Sequence, residues 1–99
     1  MEFIYRWNGE YFGFISEDNL FDANSNWIGW IKDKKVWQAD GNFLGEIYED
    51  NYILRRKAEV LPVPMEPHSL PVPPVAPDPP VNRAARVRLA GWEDALIGL

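Results

Sequence analysis

The sequence predicts an all-β fold, a meander of about seven short strands, from three observations: a 16-residue repeat, a glycine at one fixed place in each repeat, and turn-forming residues at both ends of every candidate strand. Segments Asn8–Phe21, Asn24–Trp37 and Asp40–Ile53 align without an insertion. Gly13, Gly29 and Gly45 share one column, Tyr11, Trp27 and Phe43 a second, Ile15, Ile31 and Ile47 a third, and Phe21, Trp37 and Ile53 a fourth. One further step back from Leu20-Phe21 lands on Ile4-Tyr5, so the N-terminus supplies the second half of a preceding unit whose first half is missing.

Each unit reads as two strands. Asn8-Gly9, Asn24-Ser25 and Asp40-Gly41 mark one turn of each unit, and Glu17-Asp18, Asp33-Lys34 and Glu49-Asp50 mark the other. The candidate strands are 3–7, 10–16, 19–22, 26–32, 35–38, 42–48 and 51–56. Glycine inside an aromatic strand marks a bend, a bulge or a close approach, and its recurrence makes Gly13, Gly29 and Gly45 structural. Both strand faces are apolar, Tyr11 and Ile15 on one side and Phe12 and Phe14 on the other. A flat open sheet buries only one face, so the chain is expected to curl its units about a common axis or to cover the second face with another copy. Thirteen of the fourteen aromatic residues lie within 1–58 and supply the bulk such a small core needs.

The run Trp7-Asn8-Gly9-Glu10-Tyr11-Phe12-Gly13-Phe14-Ile15 and its echo Asp40-Gly41-Asn42-Phe43-Leu44-Gly45-Glu46-Ile47 resemble the bacterial 4-fold β-flower domain, a small repeat of unknown function. The resemblance covers about residues 3–56 and implies a pseudo-fourfold arrangement of β units. It carries no catalytic residue. Asn24-Ser25-Asn26, without a turn glycine, and Glu46, in place of an apolar residue, depart from the ideal repeat.

After this β-repeat domain, assigned to 1–58, the composition changes: all nine prolines fall between Pro62 and Pro80. Residues 59–82 are expected to form a disordered, extended tether, at about 3.1 Å per residue in the polyproline-II conformation. The stretch also offers itself as a ligand for proline-reading domains, although Pro71-Val72-Pro73-Pro74 and Pro77-Asp78-Pro79-Pro80 lack a flanking basic residue. Residues 83–99 then form a C-terminal docking peptide in which Trp92 and Leu96, four residues apart, fall on one face of a short helix with Leu99 beyond them.

Composition narrows the function classes. The 99 residues are 46% hydrophobic and 25% charged, as in an ordinary globular protein, and no apolar run is long enough to span a bilayer. The start Met1-Glu2-Phe3-Ile4-Tyr5-Arg6 lacks the pattern of a signal peptide, so a cytoplasmic protein is expected, without a membrane partner. The net charge of −5 and the absence of a clustered basic face argue against nucleic acid. With no cysteine there is neither a disulfide nor a thiolate site.

No residue set points to catalysis, a metal or a cofactor. His68 lies between Pro67 and Ser69 in the tether, where no rigid frame holds it. Asp22-Ala23-Asn24-Ser25-Asn26 imitates the opening of a calcium loop and Asp33 falls at its twelfth position, but Trp27 occupies the sixth, where the loop needs glycine. Glu17-Asp18 and Glu49-Asp50 are turn charges. A non-catalytic protein-interaction or structural module is therefore expected, with Trp92, Leu96 and Leu99 docking on a protein partner or a second copy and no small-molecule ligand favoured. The alternative is a carbohydrate- or choline-binding module, because Trp27-Ile28-Gly29-Trp30 in tandem hairpins is similar to the choline-binding repeats of bacterial surface proteins.

Overall fold

The computed structural model describes residues 1–57 and 62–99. The domain boundary expected at 58/59 therefore lies outside the described residues. Among the described residues eight strands form one antiparallel sheet in sequence order: β1 (Glu2–Tyr5), β2 (Tyr11–Ser16), β3 (Asn19–Asp22), β4 (Trp27–Lys32), β5 (Lys35–Gln38), β6 (Phe43–Tyr48), β7 (Tyr52–Arg56) and β8 (Trp92–Asp94). The sheet curls as a half-barrel, and the described residues contain no helix.

Local chemistry sets the strands apart. Glu17/Asp18, Asp33/Lys34 and Glu49/Asp50 all adopt positive φ, between 48° and 64°, the conformation that reverses a twisted hairpin tightly. In the other turns, Gly9 and Gly41 take φ of 93° and Ser25 takes 63°. The N–H groups of Gly9, Ser25 and Gly41 donate to the carbonyls of Arg6, Asp22 and Gln38 at 2.8, 3.0 and 2.8 Å. Ser25 keeps this turn without glycine because the Asp22 carboxylate holds it, accepting from the Asn24 and Asn26 backbone at 2.9 and 3.0 Å and from the Asn26 side-chain amide at 3.0 Å. The stretch that imitates a calcium loop is thus an aspartate-held turn.

Register shifts at Ile4/Tyr5, Leu20/Phe21 and Val36/Trp37 put an extra residue into β2, β4 and β6. The bulge changes the facing expected from simple alternation. Phe12 joins Ile15 on the core side, while Phe14 falls outside that cluster and stacks on Phe21 at 5.3 Å. Ile4, Leu20, Val36 and Ile53, one from each of β1, β3, β5 and β7, are fully buried and form the centre of the core with Phe12, Leu44, Ala95 and Leu96.

The glycines of the fixed column lie where adjacent backbones close in. A Cβ on Gly29 would fall 2.8 Å from the Trp37 carbonyl carbon, with the oxygen nearer still, and 2.9 Å from Gln38 Cα. Gly13 meets Phe21 and Asp22 in the same way, whereas at Gly45 the neighbours are looser, Leu54 O at 2.7 Å and Ala95 Cβ at 2.8 Å.

One departure from the 16-residue alignment was not visible in sequence. Ser16 pairs with Asn19 and Lys32 with Lys35, but Tyr48 pairs with Tyr52, so the β6–β7 turn is one residue longer. Ile53 consequently takes the place of Leu20 and Val36, and Leu54, not Ile53, that of Phe21 and Trp37. The extra residue has a role in closing the sheet. Asn51 accepts from the Tyr5 N–H at 2.8 Å and donates from its side-chain amide to the Phe3 carbonyl at 2.9 Å. It satisfies the outer edge of β1 and draws that strand towards β7.

The second apolar face is covered by the proline-rich segment. From Pro62 to Leu89 the chain has no regular secondary structure, yet it is not a free tether: it lies against the sheet as a strap. Met65 N–H donates to Gly41 C=O at 2.9 Å and Arg83 N–H to Gly9 C=O at 2.8 Å. Midway the strap offers Pro74, which has no N–H, and there the turn offers Ser25, whose hydroxyl donates to Pro74 C=O at 2.7 Å. His68, expected to be merely solvated, stacks on Trp30 with ring centroids 3.7 Å apart, and the Arg83 guanidinium lies 4.2 Å over the Tyr5 ring.

The anchors Met65, Pro74 and Arg83 are nine residues apart, and the strap repeats with them: Pro62-Val63-Pro64-Met65, Pro71-Val72-Pro73-Pro74, Pro80-Val81-Asn82-Arg83. The spacing acquires meaning once the turns that hold the three anchors, at Gly41, Ser25 and Gly9, are seen to recur every 16 residues. Nine residues of extended chain reach about 28 Å, a step that suits a molecule 37 by 35 Å across its broad face. Gly41→Ala should break this arrangement locally, since alanine resists φ of 93° and its Cβ would collide with the Met65 carbonyl. We expect a loss of roughly 1–3 kcal/mol and faster hydrogen exchange at the Met65 amide. Unchanged protection of that amide would rule out the anchor.

Candidate functional site

The C-terminal segment forms a strand and a pair of turns where a short helix was expected from the spacing of Trp92 and Leu96. The free edge of β7 decides the outcome, because an extended partner satisfies its backbone groups whereas a one-turn helix would leave them to water. Leu54, Arg55 and Arg56 pair with Asp94, Glu93 and Trp92. Lys57 N–H donates to Gly91 C=O at 2.9 Å and Ala95 N–H to Ile53 C=O at 3.0 Å, extending the ladder at both ends. Across it Arg55 meets Glu93 at 3.2 Å, and the Arg56 guanidinium lies 4.9 Å above the Trp92 ring. The Asp94 carboxylate ends the strand, accepting from Leu96 N–H at 3.0 Å and from Trp7 N–H at 3.1 Å.

The three residues expected to dock together are separated. Leu96 is fully buried in the core cluster. Trp92 is half-buried at the sheet edge, and Leu99 is 43% exposed. Arg6 ties the segment down from the other end of the chain, donating to Leu96 C=O at 2.8 Å and also to Leu99 C=O. Trp7 Nε1 donates to Val87 C=O at 3.1 Å.

Docking β8 creates a cleft of about 210 Å³ lined by Trp7, Leu54, Lys57, Arg88, Trp92 and Ile97 among others. Its other charges already have partners on the protein. Arg86 meets Glu49 at 2.7 Å and lies 4.8 Å over Trp7. The bond to Glu49, with a second to Tyr52, holds its guanidinium above the ordinary arginine range. Arg83 is raised in the same direction, by Tyr52 foremost. Burial, reinforced by Tyr5, raises the Tyr11 phenol, whose oxygen is enclosed without a hydrogen-bond partner. Among the described residues no group of three or more histidine, aspartate or glutamate side chains is placed to hold a metal ion.

A curled antiparallel meander, with its ends tied together and a strap across its aromatic face, defines the class of protein as a small all-β scaffold. The chain belongs to the 4-fold beta flower protein family, whose model matches residues 1–95 and so takes in the strap and β8 as well as the first seven strands. No curated protein and no solved structure matches it.

Proposed function

We propose that the chain is a non-catalytic structural or protein-interaction module of tandem 16-residue hairpin units in pseudo-fourfold arrangement, which its C-terminal peptide completes in cis. The docking of β8 on β7, with Ala95 and Leu96 buried in the common core, carries this proposal. β1 repeats the second half of a unit, and β8, beside β7, stands as the first half of one. Ala95 bonds to Ile53 as Gly13, Gly29 and Gly45 stand opposite Ile4, Leu20 and Val36, a small residue in the place of the column glycine.

The choline or carbohydrate alternative has less support. Trp30 and Trp37 are 3% and 6% exposed, so neither offers an open aromatic wall. At Trp7 and Trp92 the cation sites over the rings are already filled by Arg86 and Arg56.

Cross-linking of the full chain in cells through its exposed Lys32, Lys34, Lys35 and Lys57 tests the module. Links to one other protein, or between isotopically distinguished copies of this chain, are expected. Links confined to single chains would overturn it.

A further inference from the structure

We propose that the cleft beside β8 takes an acidic peptide, seating one apolar side chain between Trp7 and Trp92 and placing a neighbouring carboxylate on Lys57 and Arg88. This deepens the interaction module proposed above and rests on it.

Charge points to the class of partner. The chain carries a net charge of −5, yet Lys57 and Arg88 stand at the cleft mouth, both exposed. The carboxylates that line the same cleft are engaged elsewhere: Glu93 is held by Arg55 at 3.2 Å, and Asp94 accepts the Trp7 and Leu96 N–H groups. Arg86, the third cation of the lining, is matched by Glu49. What remains without a partner among the described residues is two positive charges over an apolar floor of Leu54, Leu89 and the two indoles. An acidic ligand with an apolar body complements that surface in sign and in polarity.

Size points to a peptide side chain. A volume of about 210 Å³ falls below the roughly 300–1,000 Å³ of sites that enclose whole small molecules, but it accommodates one leucine- or phenylalanine-sized group. The remainder of such a ligand would lie on the rim, where Ile97 and Leu99, 70% and 43% exposed, continue the apolar surface. Among the described residues β8 is the last strand of the sheet and pairs with β7 alone, the kind of edge to which extended peptides add.

Selection of phage-displayed random dodecapeptides on the immobilised full chain tests the assignment, followed by polarisation titration of the enriched peptides. Enriched peptides should carry aspartate or glutamate within two residues of leucine, isoleucine or phenylalanine. Their affinity should fall about tenfold in Lys57→Glu and in Arg88→Glu, and further with added salt. Both side chains are exposed, so the variants should keep the parent melting temperature. Failure to enrich acidic peptides, or equal binding to parent and variants, would overturn the inference. Cellular cross-links to a partner that persist in that event would leave the module standing and remove only the cleft.

Discussion

Gly29→Val should destabilise the protein by roughly 3–5 kcal/mol, a large share of the roughly 5–15 kcal/mol that holds a domain of this size folded. The reason is what the new side chain would meet. No flexible side-chain end lies above Gly29; the nearest atoms are the Trp37 carbonyl group and Gln38 Cα, all backbone of β5 held in the ladder with β4. Relief would require separating the two strands and with them the Trp30–Trp37 pair. Gly13→Val, facing the Phe21 carbonyl, should behave alike. Gly45→Val should cost less, about 2 kcal/mol, because its nearest neighbours, Leu54 O at 2.7 Å and Ala95 Cβ at 2.8 Å, stand farther off than the Trp37 carbonyl oxygen stands from Gly29. Thermal unfolding of the three variants checks the order. At about 4–8 °C per kcal/mol, Gly29→Val should lower Tm by well over 10 °C, and equal losses at Gly29 and Gly45 would contradict the geometry.

Much of this fold was legible because its determinants are local and recur. A turn pair such as Asp33-Lys34, or a glycine at a fixed offset, announces a hairpin wherever the hairpin comes to lie. The misreadings share the opposite property. The extra residue of the β6–β7 turn passes for an ordinary residue until its pairing partners are known, and only β1, far away in sequence, gives Asn51 its purpose. The bulge that turns Phe12 inward is a property of two strands, not one. At the cleft, no stretch of sequence brings Trp7, Lys57, Arg88 and Trp92 together; the docking of β8 does. The strap is hard to read from sequence for another reason: extended proline-rich chain has no hydrophobic periodicity, and its nine-residue spacing gains meaning only beside turns spaced by 16.

Two tail residues that a helix would place on one face are separated by a strand and a turn. An isolated tryptophan invites the role of binding hot spot, and Trp92 and Leu96 stand four residues apart, as on one face of a helix. A strand followed by a turn places them differently: Trp92 stays at the edge under Arg56, and Leu96 enters the core beside Ala95. Leu96→Ala should therefore destabilise the full chain by roughly 3 kcal/mol, the cost of emptying a fully buried leucine site. Trp92→Ala should cost about 1 kcal/mol, the loss of partial burial and one exposed cation–π contact. Denaturant unfolding distinguishes the two, and hydrogen exchange locates the effect. Leu96→Ala should expose the Ala95 and Lys57 amides, which donate to Ile53 and Gly91 across the β7–β8 ladder, while the hairpin of β4 and β5 keeps its protection. If Leu96→Ala proves as stable as the parent and Trp92→Ala does not, the tail is held by its tryptophan, and β8 is not the strand that completes this sheet.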